Sequence, residues 1–422
     1  MIDPTARDLL ERAFHAAVAA SAPAEAVKQA LPDRPKGRTV VVGAGKAAAQ
    51  MAEGLVEAWD GPLSGVVVTR TGHGAGARTG PIEVLEASHP RPDAASELAA
   101  ERLLGAVSGL TEDDLVIALI SGGGSALLCR PLPGLTLADK QAVTDALLSS
   151  GATIGEMNRV RQRLSGIKGG RLAAAAAPAR VVTLAISDVP GDLPDIIASG
   201  PTVAADPEGE SAERIIARYG LDLPAAVAEA LNRPDSHPPG ADALPPGEVH
   251  IVASPRRALE AAAGVAREAG IAAHVLSDRV EGEAREAGKA LAAIALSCAD
   301  LGQPFARPVL LLSGGETTVT LGSSGGRGGR NGEFALGAAL ALRGAAGIAG
   351  LAADTDGIDG SEDNAGAFFD GATAARMIAA GIDPFEAQAR HDSWGAFDAV
   401  DQLFVTGPTG TNVNDFRAFL VR

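Results

Sequence analysis

Cysteine is nearly absent from this chain of 422 residues: only Cys129 and Cys298 occur, far apart and without a His or second Cys at metal-ligand spacing. That argues against a disulfide framework and fits two buried thiols in a reducing cytoplasm. Positive charge is also short. The 36 Lys and Arg face 52 Asp and Glu, a net charge of −16, so no broad basic face is available for nucleic acid or an anionic membrane. A local basic pocket for a small anion remains allowed. Strongly apolar runs are missing too. The longest tract, 334–353, is interrupted by Arg343 and consists mainly of Ala and Gly, which reads as a buried helix running into a strand and not as a membrane span. Met1-Ile2-Asp3-Pro4 opens an amphipathic helical pattern, so a secretory signal is not expected and the cytoplasm is the expected location. There is no G-x-x-x-x-G-K-[ST] loop, no G-x-S-x-G elbow and no H-x-x-x-H among the seven histidines. Ordinary P-loop, serine-hydrolase and His-metal sites are thereby set aside. Aromatic residues make up only 3% of the chain.

Glycine, by contrast, is abundant: 52 residues, about 12% of the chain against a usual share near 7%. Hydrophobic content is an ordinary 46% and no short repeat occurs, which excludes collagen and disorder. Strand-like runs at 39–42, 65–69, 82–86, 115–120 and 181–186 alternate with helical stretches at 46–59, 95–108, 137–149 and 158–176. Continuous Val/Ile/Leu runs mark strands buried on both faces, so a parallel or mostly parallel sheet is expected. The segment 232–248 (NRPDSHPPGADALPPGE) holds five prolines and reads as an exposed connection. Beyond it, strands near 249–253, 272–276, 308–312, 348–353 and 402–406 alternate with helices from 255, over 281–299 and over 333–342. The expected class is α/β with two domains, 1–235 and 249–422, and two such domains in series form a ligand-binding cleft.

Four glycine clusters follow expected strands: GAGK at 43–46, SGGGS at 121–125, SGGE at 313–316 and TGPTGTN at 406–412. In open α/β sheets ligands bind beyond the carboxyl ends of the strands, and a Gly-rich turn there lets backbone N–H groups approach an anion. Candidate phosphate contacts are Ser121, Gly122, Gly123, Gly124 and Ser125, then Gly314, Gly315, Glu316, Thr409 and Asn412. Tight turns for purely steric reasons are the competing explanation. The first cluster also fits the G-x-G-x-x-[GA] dinucleotide fingerprint, but the acid due about 20 residues later is missing and the next strand ends in Arg70. Lys46 suits a polyphosphate or carboxylate better than a nicotinamide carrier.

Two arginines lie in GGRGGRNGE at 325–333, either a solvated loop or an anion clamp; Arg330, fixed by the following helix, is the stronger candidate. Asp354, Asp356 and Asp359 form a run without EF-hand spacing. They are Asx-turn formers, or they hold Mg²⁺ or act as a base. Asp188 and Asp192 are turn residues or Mg²⁺ contacts by the same reasoning. The one basic stretch, 157–171, ends in Lys168 before a Gly-Gly break. It is a solvated helix face, or part of it faces bound phosphate. His73 and His89 sit in turns, where they touch substrate or lie on the surface.

Longer motifs carry a resemblance. GAGKA at 43–47, SGGGSALL at 121–128, NRVRQRLSGIKGGRLA at 158–173 and SDVPGDLPDIIASGPT at 187–202 resemble the class II glycerate 2-kinase family of MOFRL type. So do LLSGGETTVT at 311–320, GGRNGEFAL at 328–336, DTDGIDGSEDNAGA at 354–367 and TGPTGTNVNDF at 406–416. The resemblance runs in order over nearly the whole chain, and some members of the family carry the name hydroxypyruvate reductase. It implies transfer of the γ-phosphate of ATP to the 2-hydroxyl of D-glycerate, giving 2-phosphoglycerate and ADP, with Mg²⁺. It also implies two α/β domains, the first Rossmann-like, with the active site in the interdomain cleft. Carried over by motif, Lys46, Arg330 and one Asp of the pair Asp354 and Asp356 are the expected catalytic residues.

On that basis the 121–125 turn holds ATP phosphates, and Asp188 or Asp192 helps Mg²⁺ bridge them. Lys46 and Arg330 bind the glycerate carboxylate and neutralise the transferring phosphoryl group, while Asp354 or Asp356 accepts the hydroxyl proton. With so few aromatics, adenine is expected to rest on aliphatic side chains and backbone. NAD(P)-dependent hydroxypyruvate reduction is the alternative, and it explains one glycine cluster of the four. A homodimer is a common assembly for α/β enzymes of this size, and neither a nucleic-acid nor a membrane partner is expected.

Overall fold

The structure is a computed structural model and describes residues 2–74, 76–189, 191–321 and 325–422. Pro190, in the 187–202 motif, lies outside the described residues. The chain divides into two units, Pro23–Val252 and the pair Met1–Ala22 with Ala253–Arg422.

The first unit is built on a six-stranded sheet. Its strands are β1 (Thr39–Ala44), β2 (Leu63–Arg70), β3 (Ile82–Ala87), β4 (Leu115–Ile120), β5 (Arg180–Ile186) and β6 (Gly247–Ala253), in the order β3-β2-β1-β4-β5-β6. The four pairings among β1 to β5 are parallel. The central strands β1 and β4 are buried at every residue, as their unbroken apolar runs require. Strand order reverses between β1 and β4, so the turns that follow these two strands flank the switch point of a doubly wound sheet. The expected helix at 158–176 is two helices, Ile154–Arg163 and Arg171–Ala176. Gly169 and Gly170, at φ of 60° and 82°, make the break between them.

The second unit contains β7 (Ala272–Ser277), β8 (Val309–Gly315), β9 (Ile348–Asp354), β10 (Gly366–Asp370), β11 (Leu403–Phe404) and β12 (Asp415–Val421), ordered β11-β10-β9-β12-β8-β7. Within this sheet β7 and β8 pair in parallel and the other four pairings are antiparallel; a separate short pairing of Thr317–Thr318 with Gly282–Glu283 is parallel. The mostly parallel sheet expected of the first domain is therefore found there, and the sheet of the second unit is mostly antiparallel. The cause is β12, which enters between β8 and β9 and runs against both, and β10, which returns from β9 without a crossover helix.

The domain limits also differ from the expected 1–235 and 249–422. The helix Pro4–Ala20 belongs with the second unit: Phe14 meets Phe404 and Phe416 edge to face, Arg7 lies over the Phe368 ring, and Thr411 Oγ1 donates to the Ser21 carbonyl at 2.7 Å. The proline-rich segment is not a free linker. Ser236 is fully buried and accepts from the Arg163 guanidinium, and the segment leads into β6 at the sheet edge. Among the described residues no helix is long and apolar enough to cross a membrane.

Candidate active site

In the first unit the turns after β1 and β4 are laced together. Lys46 N–H donates to the Gly122 carbonyl at 2.9 Å, and Ala47 N–H donates to Ser121 Oγ at 3.1 Å. Ser121 N–H is spent on the Ala44 carbonyl, so this residue braces the two turns and its amide is not available to a phosphate. Gly45 is required where it stands: its φ is 145°, and a Cβ there would come within 2.0 Å of Ser121 Oγ. Gly122 and Gly123 have no backbone acceptor for their N–H groups among the described residues, which leaves two donors for an anion. The helix that follows, Gly124–Leu127, has four residues and adds little dipole.

Carboxylate, cation and imidazole groups border this turn. A Cβ on Gly122 would meet Asp188 Oδ2 at 1.9 Å, so that carboxylate lies directly on the turn. Asp192, at φ 53°, has Oδ1 buried without a hydrogen-bond partner among the described residues. A Cβ on Gly123 would touch the His89 ring and Lys46 Cγ at 3.1–3.2 Å. Burial, and then the charges of Lys46 and Arg70, lower the His89 pKa to about 4, so the imidazole is neutral near pH 7. Ser125 Oγ lies 2.8 Å from Ser199 Oγ. Lys168 turns inward just beyond this turn. It is 2% exposed, and its ammonium donates to the Leu128 carbonyl, a structural tie in the fold.

In the second unit the cluster centres on Arg330, the first residue of the helix Arg330–Ala341. Its Nε donates to Asp415 Oδ1 at 2.7 Å, Nη1 to Glu316 Oε1 at 2.9 Å and Nη2 to Asp354 Oδ2 at 2.7 Å. A guanidinium has five N–H donors, so two remain for a ligand. Asp359 fixes the helix start by accepting from the amides of Asn331 and Gly332 at 2.9 and 2.7 Å. Asp354 stands at the end of β9, 6% exposed. Burial drives its pKa well above the carboxylate range, Arg330 opposes the rise, and Asp356 and Asp415 add to it. Asp356 is more exposed and occupied, accepting from the Ile358 amide at 2.9 Å and from Asn412 Nδ2 at 3.5 Å. Arg330, Asp354, Asp359, Glu333 and His391 line a cavity of about 560 Å³, whose wall also includes Val319, Leu321, several glycines and the hydroxyl residues Thr317, Thr318 and Ser361.

The other expected contacts fall in three ways. Gly314 and Gly315 are not an open turn. They lie within β8, paired with Phe416 and Asp415, and a Cβ on Gly315 would strike Val280 N at 2.3 Å, so close packing explains them. Glu316 is exposed and engaged with Arg330. Thr409 and Asn412 gather on the turn at Asp356: Thr409 N–H donates to the Asp356 carbonyl at 3.0 Å, and its hydroxyl to the Thr355 carbonyl at 2.5 Å. Asp415 was missed. It is 2% exposed and also accepts from Asn331 Nδ2 at 2.9 Å, from the Thr317 amide at 3.1 Å and from the buried Arg417 guanidinium. The signal available was an Asp and an Arg set two apart in the apolar C-terminal run. Glu333 went unnoticed for the same reason: helical periodicity gives no warning of a buried carboxylate.

A doubly wound sheet with an anion-ready turn, and a second unit carrying an Arg–Asp cluster, define an α/β protein suited to a small anionic ligand. Comparison with known proteins gives the family. Residues 9–232 match the domain of unknown function DUF4147, and residues 309–415 match the MOFRL family. The chain is 40% identical to D-glycerate 2-kinase of Thermotoga maritima over 395 residues, 93% of each chain. The crystal structure of glycerate kinase from the same organism superposes with a TM-score of 0.92 at 39% identity, covering 100% of both chains. A protein of Agrobacterium vitis provisionally named hydroxypyruvate reductase is 56% identical over 421 residues, 99% of this chain and 95% of its own. This chain belongs to the glycerate kinase family.

Proposed function

We propose that the protein transfers the γ-phosphoryl group of ATP to the 2-hydroxyl of D-glycerate, forming 2-phosphoglycerate and ADP. The observation that carries this reading is the turn at 121–125, whose two unoccupied amides lie beside Lys46 and under the Asp188 carboxylate. Gly122 and Gly123 N–H groups receive phosphate oxygens, and Lys46 adds a cation to them. Asp188 and Asp192 are the residues that would hold Mg²⁺. The orphaned Asp192 Oδ1 and the seat of Asp188 on the turn fit a hard cation that takes only one or two carboxylates and shares phosphate oxygens. Among the described residues no larger His/Cys/Asp/Glu group offers an alternative. Bound there, Mg²⁺ would neutralise charge on the β- and γ-phosphates.

Arg330 offers its two remaining N–H donors to the glycerate carboxylate, and its ion pairs with Asp415, Asp354 and Glu316 fix its direction in advance. Asp354 is the better base of the Asp pair. It lines the cavity, and the burial that raises its pKa makes it a stronger proton acceptor once ionised, whereas Asp356 is not among the cavity's lining residues.

Hydroxypyruvate reduction is the second reading, favoured by the strand order and by the 43–48 fingerprint. The end of β2, where a ribose-binding acid belongs, instead carries Arg70 and Thr69, whose hydroxyl donates to the Lys46 carbonyl at 3.1 Å. Purified protein given D-glycerate with either Mg·ATP or NAD(P) separates the two. ADP release without NAD(P)H is expected, and NAD(P)H formation without ADP would reverse the order.

A further inference from the structure

The four arginines of the basic stretch 157–171 have different fates. Arg159 pairs with Asp206, and Arg163 with Glu213. Arg171 donates to the carbonyls of Gln162, Lys168, Asp235 and Ser236. Arg161 pairs with no carboxylate, and among the described residues its guanidinium has one hydrogen-bond acceptor, Asn158 Oδ1, at 3.4 Å. The side chain is partly buried, and burial alone lowers its pKa. Lys140 and Lys168, the charged neighbours that feel Arg161, are also without carboxylates: Lys140 donates to the carbonyls of Arg161 and Leu164, Lys168 to that of Leu128. Burial lowers the pKa of Lys140 to about 7 and of Lys168 to about 8, so these two lysines can shed their charge near neutrality, whereas Arg161 keeps its charge. Positive charge withdrawn from water is costly unless an anion completes it.

A second observation ties this charge to the phosphate turn. Asn158 Oδ1 also accepts from Ser199 Oγ at 2.9 Å, and Ser199 Oγ lies 2.8 Å from Ser125 Oγ, the last residue of the SGGGS turn. Ala198 and Ser199 hold left-handed φ values of 52° and 62°, strain of the kind kept at ligand sites. That turn is held in place by Asn158 Nδ2 on the Ile196 carbonyl and by Gln162 Nε2 on the Asp195 carbonyl, at 2.9 and 3.0 Å. A row of hydroxyl, amide and guanidinium groups therefore runs from the turn to a cation with spare donors.

We propose that the spare N–H donors of Arg161, positioned by Asn158, which Ser199 ties to Ser125, form an oxyanion subsite that takes a carboxylate or phosphoryl oxygen of a substrate. The identity of that substrate rests on the phosphotransfer reading, since glycerate carboxylate and nucleotide phosphate present the same chemistry. Arg161→Met and Arg161→Lys test it in two assays. Titration with inorganic phosphate reads the subsite without turnover. Wild type is expected to bind, Arg161→Met about tenfold or more weakly, and Arg161→Lys in between. In kinetics with ATP and D-glycerate, the KM of one substrate rises by a similar factor. A rise for glycerate marks the carboxylate, and a rise for ATP marks the phosphate. Absence of phosphate binding by wild type, or equal affinity in wild type and Arg161→Met, overturns the subsite. A wild type that releases no ADP while its phosphate affinity still depends on Arg161 overturns the phosphotransfer reading and leaves the subsite standing. If Arg161→Met does not fold, Asn158→Asp, which sets a carboxylate against the guanidinium, is expected to weaken phosphate binding to a similar degree. Unchanged affinity in that variant overturns the proposal.

Discussion

Glu333 sits in the first turn of the helix Arg330–Ala341, 2% exposed, with neither carboxylate oxygen hydrogen-bonded among the described residues. His391 Nδ1 lies 3.7 Å away, with Arg285, Glu283 and Asp359 acting from further off. Burial first, and then Glu283 and Asp359 against Arg285, raise its pKa from 4.5 to about 7. The folded chain therefore keeps a proton that the unfolded chain releases near pH 4.5. This group's contribution to stability is complete below that pH and is lost as pH climbs to about 7. Asp359, raised to about 6, acts with the same sign. Glu333→Gln keeps the neutral shape, so it is expected to match wild type in urea unfolding at acid pH and to be the more stable protein above neutrality. Parallel pH curves for the two proteins would contradict the assignment. At this scale the sequence was partly legible. Arg330 and the pair Asp354 and Asp356 could be named because glycines and a strand end advertised them, but the sequence did not choose between the two aspartates. The contact of Lys168 was not legible, because one dimension does not say that a lysine turns inward to a backbone carbonyl. Asp415 stayed hidden because strand β12 was not foreseen.

At the scale of elements, the two turns at the β1/β4 switch point were the most legible part of the molecule, since apolar runs located the strands and glycine located their ends. The glycines at 314 and 315 look the same in sequence yet lie inside β8, where they admit the turn around Val280. What separates the two cases is the residue opposite, which sequence does not reveal. Gly122 offers the sharper test. A methyl group there would displace the Asp188 carboxylate, a flexible side chain, and would leave the strand core untouched. Gly122→Ala is expected to lower kcat/KM by about a hundredfold, the usual cost of misplacing a reacting group by an ångström, with little change in Tm. Turnover near wild type would remove the Asp188 seat from the account, and a large fall in Tm would show that the glycine serves packing.

At the scale of the whole molecule, composition excluded most function classes before any motif was considered, and the α/β class followed from alternating strands and helices. The division of the chain was less legible. Five prolines between 232 and 248 suggested a linker, but Ser236 is buried and β6 follows directly, so the boundary falls at Val252. The N-terminal helix joins the second unit through Phe14 and Arg7, a long-range pairing that no local pattern announces. The acidic surplus and the few cations that matter are compatible because Lys46, Arg161 and Arg330 are each held at a glycine turn, in a polar row or among carboxylates. The central claim is phosphoryl transfer to one particular hydroxyl, and proton-coupled ³¹P NMR of the product formed from Mg·ATP and D-glycerate tests it most directly. The account predicts a phosphate-ester doublet, from phosphorus coupled to the single proton on C2, rising together with ADP. A triplet from the C3 methylene, or no ester signal at all, would contradict it.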